Sequence, residues 1–112
     1  KNVQIICLNE RKNTMRDVTE LVELRDRAYE GGIELKNAIV NKTGKTVHDY
    51  MYVRADKMIQ AMHYGRNNEF MDNVLKLSNM FELPIPRPLL EGMADEEKFN
   101  VVSRSYMIGL LS

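Results

Sequence analysis

Residues 52–86 constrain the fold more than any other part of the chain. Apolar residues recur there at spacings of three and four on both sides of the polar turn Gly65-Arg66-Asn67-Asn68, and this period is typical of amphipathic helices. The stripe before the turn comprises Met51, Ala55, Met58 or Ile59, and Met62, and the stripe after it comprises Phe70, Met71, Val74, Leu77 or Ser78, and Phe81. The sequence therefore predicts two helices that fold back on each other as a hairpin.

The ends of this hairpin carry their own signals. Gly65 can adopt the left-handed backbone conformation that ends a helix, and Asn67 or Asn68 can cap the free amides that open the next one. The segment Pro84-Ile85-Pro86 lacks two of the backbone N–H groups that a helix needs. We therefore expect the second helix of the hairpin to end at about Glu82.

A longer helix is predicted upstream of the hairpin. Thr14 and Asp17 have the spacing of a capping box, although the usual acidic residue is Glu. The apolar residues that follow keep helical register through Gly31-Gly32, so one helix is predicted from about Met15 to about Asn41. Because each glycine costs a helix about 1 kcal/mol, we expect a neighbouring helix to approach closely at Gly32; a kink or backbone contact with a ligand are the alternatives.

Two more helices complete the prediction. Thr46 with Asp49 repeats the capping pattern for a helix that runs to about Tyr64. Asp95 opens a last helix near the C-terminus. Between the hairpin and this last helix, Arg87-Pro88-Leu89-Leu90 can form one short helical turn, because proline is tolerated at the start of a helix.

Together these elements predict an all-α fold, a helical bundle of four main helices with an extended N-terminal arm. Residues 1–13 form the arm and linker, because Val3–Leu8 favours β structure and finds no second strand to pair with. Residues 14–112 form the bundle domain. The chain is 44% hydrophobic and 29% charged, which suits one domain with a core and a hydrated surface. Its apolar runs are too short for a membrane span, and a cytoplasmic location is expected.

Catalysis and metal binding have little support in the sequence. Cys7 lies in an apolar run with no nearby histidine to activate it as a nucleophile. One cysteine with His48 and His63 provides too few ligands for a structural zinc site. We therefore expect a non-enzyme without a metal, a cofactor or a small-molecule substrate.

The arrangement of the basic residues is more informative than their number. Sixteen basic residues balance sixteen acidic ones, so contact with nucleic acid requires a local basic face rather than a strong overall charge. The candidate phosphate-binding residues are Lys36, Lys42, Lys45, Arg54, Lys57 and Arg66. On a bundle these residues could line one groove, and the alternative is a set of scattered, solvated charges. Tyr50, Tyr52 and Tyr64 could supply stacking, although their spacing predicts that one or two belong to the core.

Several short motifs of the chain resemble one family. They are Tyr52–Ala61, Gly65-Arg66-Asn67, Phe70-Met71-Asp72, Pro84-Ile85-Pro86 and Ser105–Leu110. Together they are similar to the C-terminal helical region of the large subunit of type I-B CRISPR effector complexes. The resemblance extends from about Thr14 to the end of the chain. In that family the region is equivalent in role to the separate small subunit of other Cascade complexes.

The resemblance implies a non-catalytic role in an assembly. Small subunits line the belly of the crescent-shaped complex and hold the target and displaced DNA strands through backbone contacts, while pairing with the guide RNA reads the sequence. The implied partners are the large subunit, the backbone subunits, the guide RNA and the target DNA, with no membrane contact. In this family the region can be made independently from an internal start, for which Met15 is a candidate, and the N-terminal arm would then be the tail of the large subunit's own sheet.

Two other functions are compatible with a helical bundle. One is a protein-interaction bundle that binds a partner through Met- and Tyr-rich stripes without contacting nucleic acid. The other is a small DNA-binding regulator, but neither interhelical turn has the short, near-perpendicular form of a helix-turn-helix motif. A continuous face formed by the candidate basic residues favours the Cascade role, and dispersion of these residues favours the protein-interaction bundle.

Overall fold

A computed structural model of the chain describes the backbone and side chains of residues 18–112. For residues 2–17 it describes only the backbone, which is helical and belongs to the first helix. Lys1 and the side chains of residues 2–17 lie outside the description. The five helices are α1 (Asn2–Thr43), α2 (Val47–His63), α3 (Asn67–Met80), α4 (Arg87–Gly92) and α5 (Glu96–Leu111). Four of them are main helices, and α4 is the short turn predicted after the proline-rich segment. The described residues contain no strand, so the predicted all-α bundle is confirmed.

The start of α1 differs from the prediction. The helix is assigned from Asn2, whereas the sequence predicted a start near Met15 and an extended arm over residues 1–13. Helix propagation adds a hydrogen bond for each residue that joins, whereas a lone strand without a partner gains none, and this favours extension of the helix. The packing of the predicted arm, the capping box at Thr14 and Asp17, and the boundary at residue 13 lie outside the described residues.

The central contact of the bundle joins α1 to α5 at two glycines. A Cβ atom added to Gly32 would overlap the Tyr106 carbonyl oxygen and lie 2.8 Å from the Leu110 nitrogen. A Cβ atom added to Gly109 would likewise overlap the carbonyl oxygen of Tyr29. The two helix backbones therefore touch at Gly32 and Gly109, which confirms that close approach of a neighbouring helix is the reason for Gly32.

A hydrogen bond extends this contact toward the N-terminal end of α5. The Ser105 hydroxyl donates to the Arg25 carbonyl oxygen at 2.9 Å. Positions on α5 thus advance in the same direction as their partners on α1, from Ser105 with Arg25 to Gly109 with Tyr29. The two helices run parallel, and α2 and α3 form the antiparallel hairpin beside them.

The core lies between these two helix pairs. Three aromatic rings meet at its centre: the Phe70 ring lies edge-on to Phe99 and to Tyr106, with ring centroids 5.9 and 6.4 Å away. The other fully buried large side chains are Leu35, Ile39, Met58, Val74, Leu77, Leu89, Val102 and Leu110. Met58, Val74 and Leu77 belong to the stripes that the sequence predicted for the hairpin. Val18 and Val22, at the N-terminal end of the part of α1 described in full, are exposed.

Helix caps agree with the prediction at two of the three described starts for which a side-chain cap was predicted. The Thr46 hydroxyl accepts from the Asp49 amide at 3.1 Å, and the Asp95 carboxylate accepts from the amides of Glu97 and Lys98. The predicted cap of α3 by Asn67 or Asn68 is wrong. Its cap position is Arg66, with no side-chain hydrogen bond to the free amides, because the turn ends one residue earlier than expected.

Gly65 closes α2 as predicted. Its φ of +71° is the left-handed conformation that glycine adopts with little strain. The Arg66 amide then donates to the Ala61 carbonyl oxygen at 2.8 Å, and the chain reverses into α3. In the described residues, no helix is both long enough and apolar enough to cross a membrane.

Candidate nucleic-acid interface

One side of α2 carries basic and aromatic residues in register. Its buried residues Val47, Met51, Ala55, Met58 and Ala61 face the core. At 100° per residue, Arg54, Lys57 and Tyr64 fall within an arc of about 80° at the edge of that buried stripe. Arg54 is half-buried at this edge, and Lys57 and Tyr64 are exposed. Arg54, Lys57 and the Tyr64 ring therefore lie along one side of the helix over more than two turns, with the buried Ala61 between Lys57 and Tyr64.

A matching strip lies on the adjacent side of α3. Asn73, Lys76 and Met80 fall within an arc of about 60° by the same helical period. The Arg54 guanidinium donates to the Asn73 amide oxygen at 3.4 Å, so this strip adjoins that of α2. The Asn73 amide nitrogen donates in turn to the Glu69 carbonyl oxygen at 2.9 Å, which holds its side chain against α3.

Lys42 continues the strip at the end where α1 meets the hairpin. Its ammonium nitrogen lies 5.8 Å from the centroid of the Phe81 ring, and Tyr50 packs edge-on against the same ring at 5.8 Å. Tyr50 and Arg54 both line a groove of about 530 Å³ between α2 and α3. Met51 departs from helical backbone angles, so the helical period does not give the position of Tyr50. Its place in this surface follows from its contact with Phe81 and from the groove that it lines.

Arg66 continues the strip at the opposite end, in the hairpin turn. Its guanidinium carbon lies 5.8 Å from the centroid of the Tyr64 ring. The same side chain lies 3.9 Å from the Glu69 carboxylate. This exposed ion pair contributes little to stability, so the guanidinium can leave it for a phosphate.

We call this surface the α2–α3 basic face. It comprises Lys42, Arg54, Lys57, Arg66 and Lys76. From Arg54 to Tyr64, after the irregular backbone at Met51, it extends about 15 Å, since each helical residue rises about 1.5 Å. Glu69 lies within the same arc of α3 as Asn73 and Lys76 by the helical period, and Asp49 lines the groove with Tyr50 and Arg54, so the face is basic in balance without being uniformly so. Lysine and arginine at such spacings suit a row of phosphates.

Two of the six predicted basic residues, Lys36 and Lys45, are not part of the α2–α3 basic face. Lys36 does not belong to the basic face: it lines a separate groove formed with Val47, Leu110 and Leu111. The prediction of one groove for all six residues is wrong for Lys36, because its position on α1 faces the end of α5. Lys45 is exposed in the turn after Gly44, three residues from Lys42.

Sequence reasoning missed Lys76 and Asn73. The signal was present in the helical period of α3, where Asn73, Lys76 and Met80 share a side, but the pairing of this side with Arg54 depends on how the hairpin packs. The prediction that one or two of the three tyrosines belong to the core was also wrong. Tyr50, Tyr52 and Tyr64 are all exposed, because the core stripe of α2 is filled by methionine and alanine.

The histidines form ring contacts with neighbouring tyrosines. The centroids of His48 and Tyr52 are 5.0 Å apart, and those of His63 and Tyr64 are 5.1 Å apart. Within residues 18–112, no three His, Cys, Asp or Glu side chains are grouped so that they could hold a metal ion. Cys7 lies outside the described residues.

Comparisons with protein-family models, curated proteins and solved structures found no match to the chain. The resemblance to the type I-B large subunit therefore depends on the motifs in the sequence alone. The charged and aromatic residues of the α2–α3 basic face are a separate argument for contact with nucleic acid.

Proposed function

We propose that this chain is a non-catalytic small-subunit region of a type I CRISPR Cascade effector complex. In this role it contacts the backbones of the target or displaced DNA strands during guide-RNA-directed recognition. The observation that carries the proposal is the α2–α3 basic face, where four of the predicted basic residues, Lys42, Arg54, Lys57 and Arg66, are joined by Lys76.

The charge distribution supports contact with the backbone rather than with base edges. Binding to phosphates depends on local lysine and arginine side chains and requires no sequence readout. A chain with a formal net charge of +0 has no strong long-range attraction for DNA. Its affinity as a free protein is therefore expected to be weak, and an assembly that repeats or extends the surface would strengthen it.

The proposed partners follow from the same role. They are the large subunit and backbone subunits, the guide RNA and the target DNA, in a cytoplasmic ribonucleoprotein complex. Guide RNA pairing supplies sequence specificity in such complexes, so the bundle supplies charge and shape. No catalytic step is assigned to it.

A protein-interaction bundle is the second candidate function. It is favoured by Val53 and Met80, which are 64% and 54% exposed and both line the groove beside Tyr50. Exposed aliphatic side chains next to aromatic rings are common in protein interfaces. In this alternative, substitution of Val53 and Met80 weakens binding to a partner protein, and the basic residues contribute little.

Binding of the full chain to labelled single- and double-stranded DNA at low salt tests the proposal. The variant R54E/K57E reverses two charges in the basic face, and the control R87E reverses an exposed charge on α4. We expect micromolar or weaker binding that does not depend on sequence, a loss of at least tenfold in R54E/K57E, and little change in R87E. Equal losses in both variants, or no binding at low salt by the folded chain, would contradict the proposal.

A further inference from the structure

Tyr64 presents an aromatic ring to solvent at the end of the basic face. It is 68% exposed, and it is the last residue before Gly65 reverses the chain. The Arg66 guanidinium and the His63 ring lie beside it, at 5.8 and 5.1 Å from its centroid, and toward α5 it lines a groove with Glu96 and Glu97. Tyr64 adds almost nothing to the core, so packing does not explain an aromatic residue here.

An exposed ring beside a guanidinium is suited to a nucleic-acid base. Aromatic side chains stack on bases of any sequence, and arginine adds cation–π attraction and a phosphate contact. The bases of a duplex are already stacked on one another and offer no free face. A ring of this kind therefore distinguishes an unpaired strand from a duplex, which lysine contacts to phosphate cannot do.

We propose that the α2–α3 basic face takes single-stranded nucleic acid and that Tyr64 stacks on one of its bases. This inference rests on the proposed function and adds a base contact to it. The strand enters at Arg66 and Tyr64, follows Lys57 and Arg54 along α2, and reaches Tyr50. Tyr50 offers a second, partly exposed ring at the far end.

The dimensions of the face fit a short single strand. Arg54 and Tyr64 are 10 positions apart, after the irregular backbone at Met51, or about 15 Å. At about 3.4 Å per nucleotide when stacked, that distance accommodates about four nucleotides, and fewer if the strand is extended. Site sizes of ~4–16 nucleotides are usual for proteins that bind single strands through charge and stacking.

Tyr29 provides a control for Tyr64. It is 40% exposed and lies on α1, away from the groove that Tyr50, Tyr52 and Arg54 line. Both alanine variants remove an exposed tyrosine ring. A loss that is specific to Tyr64→Ala therefore reports the position of the ring rather than a general loss of aromatic surface.

The test measures binding of the full chain to three labelled probes by fluorescence anisotropy: a 12-nucleotide dT strand, the same length of abasic strand, and a 12-base-pair duplex. We expect dT to bind more tightly than the other two. Tyr64→Ala should weaken dT binding between about 5-fold and 150-fold without changing abasic binding. Tyr64→Phe should restore it, and Tyr29→Ala should leave it unchanged.

The abasic probe separates the stacking inference from the proposed function. If dT and abasic strands bind equally, and the basic-face variant K57E weakens both, backbone contact stands and stacking is overturned. Equal effects of Tyr64→Ala and Tyr29→Ala on dT binding would also overturn stacking. If none of the probes binds at low salt, both the inference and the proposed function fail.

Discussion

Gly32 of α1 and Gly109 of α5 lie against each other's helix backbones, with the carbonyl oxygens of Tyr106 and Tyr29 occupying the space that a Cβ atom would need. The contact is reciprocal, because each glycine lies three residues after the tyrosine whose carbonyl oxygen faces the other glycine. At such distances Cα–H groups can also donate weakly to carbonyl oxygens. This parallel crossing supports the hairpin that carries the basic face.

Substitution of Gly32 by alanine should destabilise the bundle. Alanine favours helix over glycine by about 1 kcal/mol, but its Cβ would overlap backbone atoms of α5 that cannot move aside as a side chain can. We expect a net loss of about 1–3 kcal/mol in the free energy of unfolding, measured by urea denaturation. A variant as stable as the native chain would show that the helices do not touch here.

The neighbouring substitution Gly31→Ala should have the opposite sign. A Cβ atom at Gly31 would lie 3.7 Å from the Tyr106 ring, which is ordinary van der Waals contact, and the helix would gain up to about 1 kcal/mol. The two alanine variants differ by one residue in position, so a rise in the urea midpoint for Gly31→Ala and a fall for Gly32→Ala isolates the helix crossing. A fall for both would contradict the packing.

Tyr106 should make stability depend on alkaline pH. Burial raises the pKa of the Tyr106 phenol above its ordinary value, and the Glu34 carboxylate raises it further. The unfolded chain then loses this proton first, near pH 10, so the stabilisation is fully present below that pH and is lost as pH rises. The free energy of unfolding should fall by up to about 1.4 kcal/mol per pH unit above pH 10.

The variant Tyr106→Phe identifies the source of this dependence. The difference between the native chain and the variant is the informative quantity, because it isolates the contribution of the Tyr106 phenol. The variant should lose less stability than the native chain between pH 9 and pH 11. Parallel curves for the two proteins would exclude Tyr106 as the source.

The cap of α5 should be sensitive to Asp95→Ala. The Asp95 carboxylate accepts hydrogen bonds from two free amides, at 2.9 and 3.3 Å. Loss of this cap should cost about 1 kcal/mol in the free energy of unfolding. Asp95→Asn keeps an acceptor at the same position and should cost less, and equal costs for the two variants would indicate that charge rather than capping matters.

The fold was largely predictable because its signals are local. Thr46, Asp95 and Gly65 marked helix ends through their own backbone and side-chain chemistry, and unbroken register through Gly31-Gly32 predicted both the continuous helix and the close crossing. The start of α1 was not predictable in this way. Val3–Leu8 favours β structure by residue type, and local preference does not account for helix extension.

The site was less predictable because it depends on how helices pack. Arg54 and Lys57 were found from spacing within one helix. Lys76 was not predicted to lie beside Arg54, and Lys36 was predicted to lie with the other basic residues but lines a separate groove, because their placement depends on which side of α3 meets α2 and which side of α1 meets α5. The helical period in one sequence shows which side of each helix is apolar, but it does not show which other helix that side contacts.

The central claim, that the α2–α3 basic face binds nucleic-acid backbone, is tested most directly by the salt dependence of binding to single-stranded DNA. The logarithm of the binding constant should fall linearly with the logarithm of the salt concentration, with a slope of about −0.7 for each phosphate contacted. The variant K57Q/K76Q, which removes two of these charges, should make the slope less steep by about 1.4, whereas R87Q should leave it unchanged. A native slope near zero, or equal slopes in both variants, would contradict the claim.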